Sequence, residues 1–153
     1  MSDTASEISD LARAHGFTVA VAESLTGGSL SADLAAAPNS STWFAGGVVS
    51  YMTRIKHEVL NVPEGPVISE QAVRAMAQGV ATLMDTDAAL AISGCGGPGE
   101  QESNAPGTTW LAVLVRGTAH TELHHFSGTP PEILEQARER ALLALLARMK
   151  EAT

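Results

Sequence analysis

The sequence is poor in the residues that secreted, metal-binding or nucleic-acid-binding proteins use. The single cysteine, Cys95, cannot form an internal disulfide, and no CxxC pair or Cys/His cluster indicates structural zinc. Only nine Lys and Arg oppose 17 Asp and Glu, which gives a formal charge of −8, and the cations are scattered. Because nucleic-acid surfaces need clustered positive charge, this composition argues against binding of DNA or RNA. The cysteine usage predicts a reducing compartment.

Long apolar runs are also missing. No stretch approaches the length of a bilayer span, and the first residues lack the basic region and apolar core of a secretion signal. We therefore expect a cytoplasmic protein with no membrane partner. With 44% hydrophobic and 17% charged residues, the chain can bury a sizeable core. Its length of 153 residues predicts a single domain over residues 1–153.

Apolar strand-like segments alternate with segments of helical periodicity. The predicted strands are 17–22, 43–52, 88–93, 108–115 and 119–126. The predicted helices precede Gly16, cover 29–37, 53–60 and 70–84, and begin again at the capping box Thr129-x-x-Glu132. The connection 116–118 contains glycine and predicts a hairpin. This order predicts an α/β fold, a three-layer α/β/α sandwich with a mixed sheet.

The turn around Ser24 lies between the first strand and the following helix. Its residues are Glu23-Ser24-Leu25-Thr26-Gly27-Gly28. Backbone N–H groups at a helix start converge on whatever lies there, which suits an oxyanion or a phosphate, and the two glycines allow close approach of a ligand. Ordinary helix capping explains the same residue types.

Lys56 follows the second predicted strand and is long enough to reach a neighbouring strand's turn. A lone lysine is most often solvated, but burial in an apolar pocket would lower its pKa and provide a neutral amine as general base for a serine. Tyr51, the only tyrosine, could relay a proton or orient a hydroxyl, or simply pack on an edge strand.

The segment from Gly94 to Gly99 satisfies the dinucleotide-binding pattern G-x-G-x-x-G after a strand. That pattern requires a helix immediately afterwards, whereas 100–106 is an acidic loop closed by proline, so we reject a dinucleotide site. The loop is either one wall of a ligand pocket or a plain surface loop. Cys95 has no base beside it in the sequence, which makes a nucleophilic role secondary to that of Ser24.

Three polar residues, His120, Glu122 and His124, alternate along one predicted strand and share one face. Metals use such geometry, but a solvated edge-strand face explains the same alternation. We favour the solvated face and expect no metal.

Several motifs in order resemble the CinA C-terminal domain family, from Val19 to about Trp110. They are Ala22-Glu23-Ser24-Leu25-Thr26-Gly27-Gly28, Ser40-Ser41, Phe44-x-Gly46-Gly47-Val48-Val49-x-Tyr51, Lys56, Val67-Ile68-Ser69, and Ser93-Gly94-x-Gly96-Gly97-Pro98 with Gly107-Thr108. Each motif alone is weak, but the ordered set is specific.

The resemblance implies an amidase that converts nicotinamide mononucleotide into nicotinate mononucleotide and ammonia, in pyridine-nucleotide salvage, without metal or organic cofactor. It implies Ser24 as nucleophile, Lys56 as base and Tyr51 as its helper. The residues expected at the substrate are Thr26, Gly27, Gly28, Gly46, Gly47, Ser93 and Gly94.

This chain departs from the family pattern where relatives often carry cations. The frequent Lys-Pro-Val-Gly is 104–107 here, Asn-Ala-Pro-Gly, and the frequent Gly-Asp-Arg with a later Arg is 128–130, Gly-Thr-Pro, with Leu134. A phosphate-bearing substrate needs positive partners. The sequence thus leaves open another carboxamide substrate or ligand binding without turnover, and the apolar helix faces leave a homo-oligomer open.

Overall fold

The computed structural model describes residues 3–153, which form five strands and five α-helices around one sheet. The strands are β1 Val19–Glu23, β2 Phe44–Val49, β3 Ala88–Gly94, β4 Thr108–Val115 and β5 Thr118–His125. The helices are α1 Asp3–His15, α2 Ser29–Ala35, α3 Thr53–Leu60, α4 Glu70–Met84 and α5 Pro130–Glu151, with a 3-10 turn at Ser40–Thr42.

The sheet is mixed, with the spatial order β2-β1-β3-β4-β5. Strands β2, β1 and β3 are parallel, and β4 and β5 are antiparallel additions. Because β1, β2 and β3 run in one direction, their carboxyl ends lie at the same edge of the sheet. In α/β proteins that edge is where ligands bind.

Two hydrophobic cores cover the two faces of the sheet and confirm the predicted three-layer α/β/α sandwich. One face presents bulky side chains from β1, β3 and β4, including Val21, Leu90 and Val113, to α1, α2 and α5. The opposite face presents mainly alanines, among them Ala20, Ala89, Ala91 and Ala112, to α4 and the end of α3. Strand alternation accounts for the segregation, since successive side chains point to opposite faces.

The predicted hairpin is confirmed, with a two-residue connection of Arg116 and Gly117. Both have positive φ, 48° and 86°, the conformation that a tight twisted hairpin turn needs. The capping box that opens α5 is confirmed as well, because the Thr129 side chain accepts from the Glu132 N–H and the Glu132 side chain accepts from the Thr129 N–H.

Strand β2 is shorter than the predicted 43–52 and carries a register shift between Val19 and Ala20 of its neighbour. Close packing accompanies the irregularity, since a Cβ placed on Gly47 would lie 2.3 Å from Ser31 Oγ and 2.8 Å from Val21 Cγ2. The shift leaves Ala45 unpaired as a bulge, and the close approach of neighbouring atoms falls at Gly47.

Over residues 3–153, no helix combines the length and the apolar character that crossing a bilayer would require.

Candidate active site

The structure brings Ser24 and Lys56 together, although 32 residues separate them in sequence. Ser24 directly follows β1, and Lys56 lies on the inner side of α3. Lys56 Nζ is 3.0 Å from Ser24 Oγ, and the lysine is 2% exposed. That distance is within the hydrogen-bond reach required of a base acting on a hydroxyl proton.

Two backbone carbonyls complete the surroundings of the Lys56 amine. Nζ donates to the Ser50 carbonyl at 2.7 Å and, more weakly, to the Tyr51 carbonyl at 3.4 Å. Carbonyls only accept, so a neutral amine that gives its two N–H groups to them directs its lone pair at the Ser24 hydroxyl. The arrangement orients the amine for accepting a proton.

The electrostatics of Lys56 favour that neutral form. Burial lowers the pKa of the amine below its ordinary value, because the charged form loses hydration, and the Glu102 carboxylate partly opposes the shift. Desolvation is the larger effect. A larger fraction of the amine is therefore neutral near pH 7 than for a solvated lysine.

The first turn of α2 is occupied by the chain's own Glu23. This fully buried carboxylate accepts hydrogen bonds from the N–H groups of Gly28 (3.1 Å), Leu30 (3.0 Å) and Ser31 (2.9 Å), and from Ser31 Oγ (2.7 Å). Of the two alternatives that the sequence left open for this turn, these hydrogen bonds favour helix capping over a bound oxyanion or phosphate at these N–H groups. Glu23 instead fixes the turn that carries Ser24.

Nearer to Ser24, the turn retains free donors. Within the described residues, the backbone N–H groups of Leu25 and Thr26 have no acceptor, and the Thr26 hydroxyl oxygen is buried without a partner. Gly27 donates its N–H to the Ser24 carbonyl at 3.0 Å, which folds the turn back on itself.

A pocket of about 280 Å³ opens beside Ser24 at the carboxyl ends of β1 and β3. Its wall is the loop after β3, which confirms the interpretation of that loop as a pocket wall. The lining residues are Ser24, Leu25, Tyr51, Gly94, Cys95, Gly96, Gly97, Gly99, Glu100 and Gln101. Four glycines leave backbone exposed to a ligand, and the only charged side chain of the lining is Glu100.

Tyr51 and Cys95 border this pocket in different ways. Tyr51 is 66% exposed, and its hydroxyl makes no hydrogen bond to Ser24 or Lys56, so only its carbonyl contacts the amine. Cys95 is buried, and its thiol donates to the Gly99 carbonyl at 3.1 Å. That contact holds the loop in shape.

Among the seven predicted substrate residues only Gly94 lines the pocket, since Thr26, Gly27 and Gly28 on the turn after Ser24 are absent from its lining. The remaining three, Gly46, Gly47 and Ser93, do not line it either. The glycines lie within β2, where Gly46 faces Met84, and Ser93 is buried near the end of β3. They support the elements that carry the site.

The alternating face of β5 forms an ion-pair network and not the solvated face that we favoured. Glu122 accepts from the Arg140 guanidinium at 2.9 and 3.1 Å, and contacts His124 Nε2 at 2.7 Å and His120 Nε2 at 3.0 Å. Burial alone would raise the pKa of Glu122, but the hydrogen bonds from Arg140, His124 and His120 outweigh it and lower the pKa to about 2. Among residues 3–153, no three His, Cys, Asp or Glu side chains are grouped to hold a metal ion.

Sequence reasoning missed Glu23, Ser50 and Glu102 as parts of the site. Glu23 carried a signal, because it is the one charged residue at the end of an otherwise apolar strand. Ser50 contributes its carbonyl, which any residue would supply. Glu102 accepts from the backbone N–H groups of Val67 and Ile68, a contact across 34 to 35 residues that no local pattern indicates.

The fold and the pocket define a class, α/β proteins with a buried serine–lysine pair at the carboxyl ends of the parallel strands of a mixed sheet. Comparison with known proteins then gives the family. The sequence model of the CinA C-terminal domain matches residues 1–149, so the chain belongs to the CinA C-terminal domain family.

Solved structures of that superfamily agree. A competence-damaged protein (CinA) superfamily protein from Klebsiella pneumoniae superposes with a TM-score of 0.93 at 32% identity, over 97% of each chain. The competence/damage inducible protein CihA from Agrobacterium tumefaciens gives a TM-score of 0.83 at 28% identity, covering 96% of this chain and 98% of that one.

Curated relatives are longer. A CinA-like protein from Synechococcus sp. (strain CC9902) is 47% identical over 107 residues, 66% of this chain and 26% of that protein. A CinA-like protein from Akkermansia muciniphila is 39% identical over 140 residues, 86% of this chain and 34% of that protein. The chain thus spans about a quarter to a third of the curated relatives it matches.

Proposed function

We propose that this chain is a serine amidohydrolase that cleaves the carboxamide of a pyridine nucleotide, with nicotinamide mononucleotide as substrate. The observation that carries the proposal is the 3.0 Å contact between Ser24 Oγ and the buried Lys56 Nζ. A buried lysine with a lowered pKa, held against a serine hydroxyl, is a recognised means of activating a serine nucleophile.

In the proposed acylation, Ser24 Oγ attacks the carboxamide carbon while the neutral Lys56 amine takes the hydroxyl proton. The carbonyl electrons move onto oxygen, and this oxyanion accepts from free backbone N–H groups, for which Leu25 at the pocket is our candidate. As the intermediate collapses, the C–N bond breaks and the Lys56 ammonium returns its proton to the leaving nitrogen. Ammonia departs and leaves an ester on Ser24.

Water then cleaves the ester with the same groups. The neutral Lys56 amine accepts a proton from water as its oxygen attacks the ester carbon. A second tetrahedral oxyanion collapses, the bond from the carbon to Ser24 Oγ breaks, and Lys56 returns the proton to Oγ. The product is the free carboxylic acid, and none of these steps uses a metal or an organic cofactor.

One observation favours a second candidate, an amidase for a carboxamide without phosphate. The pocket lining contains no Lys, Arg or His, and its only charged side chain is Glu100. The α2 N–H groups that could receive a phosphate are bonded to Glu23. An anionic group gains little in such surroundings. Nicotinamide riboside and nicotinamide are the corresponding test compounds.

The test is ammonia release from nicotinamide mononucleotide, nicotinamide riboside and nicotinamide. We expect release by the wild type and none by Ser24→Ala or Lys56→Arg, because a guanidinium stays protonated and cannot act as base. Lys150→Arg is the matched control, since Lys150 is the other lysine of the chain and is exposed. Absence of release from all three compounds contradicts the amidase, and equal activity of Lys56→Arg contradicts the base.

A further inference from the structure

The loop wall of the pocket is fastened to the rest of the molecule by Glu102. The Glu102 carboxylate accepts from the Val67 N–H at 2.9 and 3.1 Å and from the Ile68 N–H at 2.8 Å. Hydrogen bonds to an ionised acceptor are about twice as strong as neutral ones. Val67 and Ile68 are buried and directly precede Ser69, the N-cap of α4, so the attachment point lies at the start of that helix.

The backbone around Glu102 forms a tight turn with unusual φ angles. Glu102 and Ser103 both have positive φ, 51° and 62°, and occupy the tip of a tight turn that pairs Gln101 with Asn104. Such φ values are unfavourable for residues other than glycine and persist where surrounding contacts stabilise them. The tip directly follows Glu100 and Gln101, which line the pocket beside Ser24.

Glu102 is also the carboxylate whose charge acts on Lys56. Most other charged groups of the surrounding elements have partners of their own: Glu23 with the α2 N–H groups, Arg54 with Glu58, His57 with the Val62 carbonyl and Glu64, and Arg74 with Glu70. Glu100, which makes no ion pair among the described residues, lines the pocket together with Tyr51 and Cys95. Glu102→Gln leaves Glu100 unchanged, so the comparison with the wild type isolates the charge of Glu102.

We propose that Glu102 is a positioning residue for the Ser24–Lys56 centre: its carboxylate, bound by the Val67 and Ile68 N–H groups, holds the pocket wall closed beside Ser24 and fixes one negative charge near the amine. The effect of Glu102 on turnover rests on the proposed function. Its effect on the titration of Lys56 can be measured whether or not the protein turns over a substrate.

The two consequences of Glu102 move the titration of Lys56 in opposite directions. Removing the charge while the wall stays closed lowers the Lys56 pKa further, because the opposing Coulomb attraction is lost. Opening the wall admits water to the amine and raises the pKa toward its ordinary value. The sign of the shift therefore separates an electrostatic role from a purely structural one.

The experiment is an NMR titration of the Lys56 side chain in protein labelled with ¹³C-lysine. The chain has two lysines, Lys56 and Lys150, so Lys150→Arg assigns both signals. In Glu102→Gln, which removes the charge and keeps one carbonyl acceptor, we expect the Lys56 midpoint to move to lower pH. Glu58→Gln is the matched control on α3, because it removes one charge from a carboxylate that pairs with Arg54. It should leave the Lys56 midpoint in place.

A second variant tests the wall. Glu102→Ala removes the acceptor, so we expect faster hydrogen exchange at the Val67 and Ile68 amides and a several-fold rise in KM with a smaller change in kcat. An unchanged or raised Lys56 midpoint in Glu102→Gln overturns the proposal, as does unaltered exchange in Glu102→Ala. If the wild type cleaves no amide, the proposed function fails, while the titration and the exchange still decide the role of Glu102.

Discussion

The buried Lys56 amine should make the stability of the fold depend on alkaline pH. Its pKa in the folded protein is lowered from 10.5 by desolvation, with Glu102 opposing, whereas the unfolded chain keeps the ordinary value. Below the folded pKa both states carry the proton, and the folded state bears the full penalty of a buried charge. Between the folded pKa and 10.5 the unfolded state binds more protons, so the free energy of unfolding rises with pH.

The size of this change in the free energy of unfolding follows from the binding of one proton by Lys56. Over the window between the two pKa values, the Lys56 contribution rises by about 1.4 kcal/mol per pH unit, the free energy equivalent of one pKa unit. In Lys56→Met the same volume is filled without a titrating group. The free energy of unfolding of the wild type minus that of Lys56→Met should therefore increase with this slope as pH rises toward 10.5.

Urea unfolding at successive pH values from neutrality to about pH 10 measures this difference. Other titrating groups cancel, because both proteins contain them. Lys150→Met serves as the control, and since Lys150 is exposed, its curve should run parallel to that of the wild type. Parallel curves for Lys56→Met would show that Lys56 titrates alike in folded and unfolded chains, and would refute the lowered pKa.

Three further changes have definite expected outcomes. Ser24→Ala should lose amidase activity by at least about 10³-fold and, because Ser24 Oγ bonds only to Lys56, should cost about 1 kcal/mol in urea unfolding; retained turnover would move the search for the nucleophile to Cys95. Gly47→Ala should destabilise by about 1–3 kcal/mol, because its Cβ would lie 2.3 Å from Ser31 Oγ; wild-type thermal stability would contradict the close packing. Glu122→Gln should remove a contribution of roughly 3 kcal/mol that the wild type has above pH 4.5 and loses as pH falls toward 2; acid unfolding curves that coincide with wild type would argue against the lowered pKa.

The bounds of α3 and α4 could be predicted from the sequence because local signals mark them. Both were predicted at 53–60 and 70–84 and observed at those residues. For α4, Ser69 caps the first turn by accepting from the Ala72 N–H, a contact within one turn that short-range sequence encodes. The hairpin of β4 and β5 was equally accessible, because its two-residue turn contains a glycine.

The site was only partly predictable. The order of the motifs indicated Ser24 and Lys56. Their 3.0 Å separation depends on how the fold places α3 beside the turn that follows β1, a contact across 32 residues. The assignment of Gly28 to the substrate failed to anticipate Glu23, whose carboxylate binds the N–H groups of the same turn. Periodicity also gives no information about the loop containing Glu102, because irregular backbone has no repeat and its contacts are long-range.

The unequal faces of the central sheet determine which substitutions the chain can accept during evolution. On the side of α4, Ala89 and Ala91 are fully buried in the core, so a larger side chain there overpacks it. On the side of α5, Leu90 and Ile92 fill the space, so a smaller side chain leaves a cavity costing about 2–5 kcal/mol for Leu or Ile to Ala. Neighbouring positions of β3 thus tolerate opposite kinds of change. Strand β3 ends at Gly94, which lines the pocket, so both kinds of substitution act on the strand that leads into the wall beside Ser24.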